Sequence, residues 1–357
     1  MNDPLSPGAT IGILGGGQLG RMLSVAASRL GFKTHIFEPG ANPPAGHVAD
    51  RVTTANYADA AALTAFAASV DVITYEFENI PTAALDLLES THPIRPGRRA
   101  LAISQDRIAE KTFLGSIGLT TAPWAEVNDA ASLDQALTRI GTPSILKTTR
   151  LGYDGKGQAR ILAPTDAAPA LAAMAGAPAV LEGFITFSRE ISVIAARGTS
   201  GEVAAFDPGE NIHRDGILHT TTVPAQITAA QRTDAVLIAA RILNALDYVG
   251  VLGVELFVTA EGLLVNEIAP RVHNSGHWTQ QGCAIDQFEQ HIRAIAGWPL
   301  GDGSRYADIE MRNLIGNDVD DIPALARAPR TAIHLYGKAE AKPGRKMGHI
   351  NRIMTKT

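Results

Sequence analysis

An apolar run at residues 11–14 leads straight into Gly15-Gly16-Gly17-Gln18-Leu19-Gly20, and a helical pattern starts on the far side of the glycines. An unbroken apolar run reads as a strand buried on both faces, the habit of parallel sheets. Leu19, Met22, Leu23, Ala26 and Leu30 then recur at helical spacing, and Gly31 stands where a glycine ends a helix. Residues 34–37 and 70–75 repeat the strand pattern, and residues 58–68 and 81–89 read as crossover helices. Strands alternating with helices require a parallel sheet with right-handed crossovers.

The glycine hexad satisfies G-x-G-x-x-G, and Glu38 ends the second strand at the spacing of a ribose-binding acid. A dinucleotide enzyme is therefore one reading. The physics licenses less: glycines let a backbone approach an anion at a helix N-terminus, whatever molecule carries it. A tight strand-to-helix turn with no ligand is the bland alternative.

Beyond about residue 120 the texture changes to α+β. Residues 144–147, 179–182, 190–196, 202–206 and 218–223 look extended, and 229–246 is one long amphipathic helix. Residues 249–258 and 263–268 read as paired strands joined at Glu261-Gly262. Residues 163–178, rich in alanine and proline, read as a surface helix and loop, and the region after Pro299 is weakly patterned. A chain of 357 residues is long for one core, and five segments are expected: 1–100, a linker at 101–120, 121–185, 186–300 and 301–357.

Composition narrows the partners. The sequence holds one cysteine, Cys283, which fits a reducing compartment and reads as a small buried hydrophobe. The N-terminus lacks a signal-peptide pattern, and the longest helical apolar patch, residues 235–246, is interrupted by Arg241 and Asn244. A cytoplasmic protein without a membrane partner is expected. A net charge of -5 argues against nucleic acid.

The second half carries a different nucleotide signature. Lys147 closes an apolar strand, and Arg150-Leu151-Gly152-Tyr153-Asp154-Gly155-Lys156-Gly157-Gln158 follows. Three glycines in six positions make a loop whose N–H groups can wrap phosphate oxygens, with Lys156 adding charge. The spacing is not that of a P-loop, and a strand-turn-strand flap is the expected form. Glu255 and Glu267 flank the Glu261-Gly262 turn in apolar surroundings. If the strands pair, the two carboxylates share a pocket, and Mg²⁺ is the usual cation between such groups and substrate phosphates. The polar run Ala269-Pro270-Arg271-Val272-His273-Asn274-Ser275-Gly276-His277-Trp278 reads as anion and substrate binding, since no further ligand stands at zinc spacing. A basic cluster, Lys342-Pro343-Gly344-Arg345-Lys346-Met347-Gly348-His349, lies near the C-terminus.

Taken in order, Gly15 to Met22, Tyr75-Glu76-Phe77-Glu78-Asn79, Gly152 to Gln158, Asn266 to Trp278 and Pro343 to Gly348 resemble the 5-(carboxyamino)imidazole ribonucleotide synthase family of the ATP-grasp superfamily. The resemblance spans nearly the whole chain; the run from Arg271 to Thr279 is its most specific part and the glycine hexad its least. It implies an α/β and α+β ATP-grasp architecture: a Rossmann-like N-terminal domain, a small lid and a C-terminal domain. It implies a homodimeric carbon–nitrogen ligase that uses ATP, Mg²⁺ and bicarbonate to carboxylate 5-aminoimidazole ribonucleotide through carboxyphosphate, in purine biosynthesis. Arg107, Lys147 and the loop Gly152, Tyr153, Asp154, Gly155, Lys156, Gly157, Gln158 would meet ATP phosphates. Glu182, Gly183, Phe184 and Ile185 would be the hinge beside adenine. Glu190 would hold the ribose, with His213 and Asn266 completing the pocket. Glu255 and Glu267 would hold the metal. Gln18, Leu19, Glu76, His273, Asn274, Ser275, Arg345 and Lys346 would surround the ribonucleotide. Arg271, His273, Lys346 and Asp154 would stand nearest the chemistry. Ala269 departs from the asparagine common two places after the second metal carboxylate. The alternatives are a formate-dependent glycinamide ribonucleotide formyltransferase, a nicotinamide oxidoreductase and a non-catalytic ATP-binding subunit.

Overall fold

A computed structural model describes residues 3–152 and 157–354. Three sheets organise them. The first holds β1 (Thr10–Leu14), β2 (Lys33–Phe37), β3 (Arg51–Thr53) and β4 (Val72–Tyr75), all parallel, in the order β3-β2-β1-β4. Ile11, Ile13 and Leu14 are fully buried, as the apolar run requires. The helix Gln18–Arg29 packs back on this sheet through Leu19, Met22, Leu23, Ala26 and Ala27.

The second sheet is small and antiparallel: β5 (Trp124–Val127), β6 (Ser144–Thr148), β7 (Gln158–Ile161) and β8 (Ala179–Gly183), ordered β5-β8-β6-β7. The expected flap is therefore bounded by β6 and β7, which pair Lys147 with Gln158. Tyr153, Asp154, Gly155 and Lys156 lie outside the described residues.

The third sheet has nine strands: β9 (Arg189–Arg197), β10 (Val203–Ala205), β11 (Gly209–Arg214), β12 (Ile217–Val223), β13 (Gly250–Thr259), β14 (Gly262–Ala269), β15 (Asp308–Ile315), β16 (Thr331–Leu335) and β17 (Lys346–Met354). Its order is β14-β13-β9-β11-β12-β15-β17-β16, with β10 paired to β9. The weakly patterned stretch after Pro299 thus contributes three strands, and β15 joins β12 directly. Behind the sheet the helix Ala229–Ala245 buries Ala235, Ala239, Ile242 and Leu243, spaced i, i+4, i+7 and i+8. Thr228 and Gln231 cap its start reciprocally. No helix among the described residues is long and apolar enough to cross a membrane.

One irregularity shapes the site. Across the β13–β14 hairpin Glu255 pairs with Glu267, yet Leu256 pairs with Val265, so Asn266 is an extra residue on β14. Such a bulge breaks the alternation of side chains and re-aims them. Asn266 and Glu267, though consecutive, both face one cavity. β14 is the sheet edge, and its outward N–H groups are covered. Val265 N–H donates to the Thr120 carbonyl at 2.9 Å, and Ile268 N–H donates to Glu110 Oε1 at 2.6 Å.

Candidate active site

A cavity of about 880 Å³ opens where the three sheets meet. Glu255 and Glu267, directly opposed on β13 and β14, stand on its wall. Their environments differ. The Glu255 side chain is 17% exposed, and burial, then the Glu267 charge, push its carboxyl up to about 7. The Glu267 side chain is 42% exposed, which corrects the expectation that both are enclosed in apolar surroundings. The bulge tips it into the open cavity, where Arg107 Nη1 approaches Glu267 Oε2 at 3.3 Å.

Arg107 opens the helix Arg107–Ser116, which Asp106 caps through the N–H groups of Ile108 and Ala109. Its guanidinium also donates to the Gly152 carbonyl at 3.3 Å, and its N–H donates to the Thr149 carbonyl at 2.9 Å. Lys147 on β6 lines the same end and donates to Glu182 Oε2 at 2.9 Å. Further along, Glu190 on β9 meets His213 Nδ1 on β11 at 2.5 Å. Burial alone would lower the His213 pKa, but the Glu190 carboxylate outweighs it and raises the pKa. Asn266 Nδ2 reaches Glu255 Oε2 at 3.5 Å.

The opposite end is built by loops. Arg271 forms an ion pair with Glu78 and donates from Nη1 to the Val272 carbonyl at 3.0 Å. His273 Nδ1 meets Ser275 Oγ at 2.8 Å, its Nε2 stands 3.7 Å from Glu255 Oε1, and burial holds the ring neutral, well below its ordinary pKa. Asn274 and Asn313 exchange two amide hydrogen bonds of 2.9 and 2.7 Å. Lys346, at the start of β17, closes this end.

The glycine loop borders the cavity but already holds its anions. Gly17 N–H donates to Glu76 Oε1 at 2.6 Å, and Gly20 N–H to Glu76 Oε2 at 2.9 Å. Gly16 N–H donates to Glu38 Oε2 at 2.8 Å. Glycine is required for this approach: a Cβ on Gly17 would stand 2.5 Å from Glu76 Oε1, and Gly15 has φ +102° with Glu76 Cγ 2.5 Å from the position of its Cβ. The N–H groups that would bind a pyrophosphate are taken by two carboxylates, so the dinucleotide reading loses its anchor. Gln18 and Leu19 still face the cavity.

The comparisons with known proteins agree with this geometry. The ribonucleotide synthetase preATP-grasp domain matches residues 8–105, the ATP-grasp domain 112–288, and the phosphoribosylaminoimidazole carboxylase C-terminal domain 310–357. The N5-carboxyaminoimidazole ribonucleotide synthase of Brucella melitensis is 56% identical over 99% of this chain and 98% of its own length. The chain belongs to the N5-carboxyaminoimidazole ribonucleotide synthase family. The fold follows suit. The ADP complex of an N5-carboxyaminoimidazole ribonucleotide synthetase superposes with a TM-score of 0.96 at 42% identity, covering 99% of this chain and 94% of that one. The Aspergillus clavatus synthase, solved with ADP and 5-aminoimidazole ribonucleotide, gives 0.92 at 32% identity, covering 98% and 95%. The ATP-grasp architecture read from the sequence is the architecture of this synthase family.

Not every residue expected from the family resemblance reaches the cavity. Gly152 and Gln158 line it, while Gly157, Glu182, Gly183, Phe184 and Ile185 do not. Glu182 is buried and engaged by lysines, and Phe184 points to solvent at 45% exposure. Ser275 is fully buried, accepting a 2.7 Å hydrogen bond from Ser192, so it supports His273 from behind. Arg345 turns away to donate to the Glu340 carbonyl at 3.1 Å. His277, the second histidine of the run, is buried against His349, ring centres 4.6 Å apart. Cys283 is buried away from the cavity, and burial pushes its thiol up to about 12, which disfavours the thiolate form.

Sequence reasoning passed over Glu110, Lys111 and the partner role of Glu78. Glu110 lines the cavity and is pushed up to about 8 by burial, then by the Glu267 charge. A signal for the first two existed: positions 110 and 111 stand three and four residues beyond Arg107, on the same helix face.

Proposed function

We propose that the chain uses ATP and bicarbonate to carboxylate the exocyclic amine of 5-aminoimidazole ribonucleotide, releasing ADP and phosphate, as a step of purine biosynthesis. The observation that carries the reading is the direct opposition of Glu255 and Glu267 in a cleft with cationic groups at both ends. Two carboxylates so close, one pushed up to about 7, fit a divalent cation better than an empty pocket. Glu255 and Glu267 would hold Mg²⁺, which offsets charge on the ATP phosphates when bound.

ATP would lie along the Lys147–Glu190 end. Arg107, Lys147 and the 152–158 flap, with Tyr153, Asp154, Gly155, Lys156, Gly157 and Gln158, would meet its phosphates. Glu190, His213 and Asn266 would meet the nucleoside. The ribonucleotide would lie toward Gln18, Leu19, Glu76, Arg271, His273, Asn274 and Lys346. A bicarbonate oxygen attacks the γ-phosphorus, and ADP leaves, giving carboxyphosphate. The amine nitrogen then attacks the carboxyl carbon, either of carboxyphosphate as its C–O bond breaks and phosphate departs with its electrons, or of the CO₂ that this same cleavage frees, and the amine loses a proton. Charge builds on the phosphoryl oxygens in the first step, where Arg107, Lys147 and Arg271 stabilise it. Holding three reactants together supplies roughly 7–11 kcal/mol of the barrier. Neutral His273, fixed through Ser275, and Lys346 orient the intermediate. We further propose a homodimer in the cytoplasm, on family resemblance.

The test is coupled ADP detection with Mg-ATP. Full rate is expected only with both bicarbonate and 5-aminoimidazole ribonucleotide. Full rate with formate and glycinamide ribonucleotide would install the formyltransferase reading, and a melting shift with NADH but not Mg-ATP would install the oxidoreductase.

A further inference from the structure

Lys111, Lys147 and Glu182 form a buried cluster with two positive charges and one negative. Lys111 lies on the helix Arg107–Ser116, and its Nζ is 3.1 Å from Glu182 Oε1. That distance secures the charge attraction, although Oε1 has no partner at hydrogen-bond geometry. Lys147 Nζ is 2.9 Å from the other oxygen, Oε2. β6 and β8 set up this meeting: Ile145 pairs with Glu182, so Lys147, two residues on, is its diagonal neighbour. Side-chain exposures are 3% for Lys111, 5% for Glu182 and 14% for Lys147.

Two further charges stand close by. Arg107, one turn earlier, is met by Glu267, and Glu110, which also feels the Lys111 charge, turns its carboxyl to the Ile268 N–H. Burial would raise the Glu182 pKa, but Lys147 and Lys111 together hold it below the usual carboxylate range. Among Lys111, Lys147 and Glu182 themselves, one positive charge remains over. Only Lys147 of the three reaches the cavity wall, so the surplus is presented there. A buried surplus charge is unfavourable until a counter-ion arrives.

We infer that Lys111 is a positioning residue for ATP: by pairing with Glu182 it keeps that carboxylate from cancelling Lys147, whose charge stays available to the nucleotide phosphates. The inference rests on the reading of Lys147 as a phosphate contact. It makes an unusual demand. Removing Lys111 alone should neutralise the cluster, whereas removing Lys111 and the Glu182 charge together should restore one free positive charge.

The experiment is steady-state kinetics on the full chain for Lys111→Met, Lys111→Arg, Glu182→Gln and the double variant Lys111→Met/Glu182→Gln. Lys111→Met is expected to raise the KM for ATP about tenfold, with the KM for 5-aminoimidazole ribonucleotide within about twofold of wild type. Lys111→Arg should stay near wild type, and the double variant should recover most of the ATP affinity. A double variant as poor as Lys111→Met, or worse, overturns the proposal, because a structural lysine would behave that way. So does an equal rise in both KM values. If Lys111→Met does not fold, the comparison of Glu182→Gln with the double variant decides. In the Glu182→Gln background, adding Lys111→Met should change the ATP KM by less than about twofold, and a larger change overturns the coupling. Lys147→Met tests the underlying reading separately: an unchanged ATP KM there removes Lys147 from the phosphates, whatever Lys111 does.

Discussion

Arg271 closes on Glu78, tying the loop after β14 to the loop after β4. The two loops leave different sheets, and their ion pair bridges the end of the cavity proposed for the ribonucleotide. A lysine cannot replace the planar fork that serves Glu78 and the Val272 carbonyl together. Arg271→Lys is expected to raise the KM for 5-aminoimidazole ribonucleotide at least about tenfold, roughly 1.4 kcal/mol, and Glu78→Gln to do so by a similar factor. An unchanged KM in either variant would separate the pair from substrate binding.

Glu267→Gln removes one of two opposed carboxylates without changing size. ADP formation is expected to fall more than about a hundredfold, with far-UV circular dichroism unchanged. Glu255→Gln should do the same. Because burial and Glu267 push Glu255 up to about 7, its charged form grows as pH rises from 6 to 8. Half-saturating Mg²⁺ should fall over that interval, since the ligand must be deprotonated. Mg²⁺ titrations of ADP release at pH 6 and pH 8 check the sign.

Gly17→Ala puts a methyl group where Glu76 Oε1 stands, 2.5 Å away. The expected cost is about 1–3 kcal/mol in urea unfolding, through a lower midpoint at constant slope. The KM for the ribonucleotide should rise more than that for ATP, since Gln18 is the next residue and lines the end of the cavity proposed for the ribonucleotide.

His291 supplies a pH prediction for stability. Its Nδ1 accepts the Val251 N–H at 3.1 Å and its Nε2 meets Thr74 Oγ1 at 2.9 Å, so a second proton would face a donor. Burial pulls its pKa down to about 3 from an unfolded value near 6.5. The stability this contributes is complete above about 6.5 and is lost as pH falls toward 3. The unfolding free energy of wild type minus that of His291→Gln should therefore drop by about 1.4 kcal/mol per pH unit within that window. A difference independent of pH would mean that the folded protein protonates His291 freely.

Much of this was legible in the chain. The parallel N-terminal sheet followed from apolar runs, and the β13–β14 hairpin from two such runs around Glu261-Gly262. What stayed hidden depends on contacts far apart in sequence or on polar cores. Glu76 sits 56 to 59 residues from the glycines whose N–H groups it takes, and nothing local announces it. Strands β15 and β17 escaped notice because Asn313, His349 and Asn351 fill interior positions, which blunts the apolar alternation. The unequal exposure of Glu255 and Glu267 could not be read either, because one inserted residue, Asn266, creates it.

That insertion gives the hairpin one dispensable place in its spacing. Glu255 with Glu267 and Leu256 with Val265 already stand as they would in an unbroken ladder, so losing Asn266 would leave every remaining side chain on its own face and remove only the second polar group. Losing Val265 instead would set Asn266 opposite Leu256, an amide in a fully apolar layer. In a scan of single-residue deletions across this hairpin, the chain lacking position 266 should fold and the chain lacking position 265 should not.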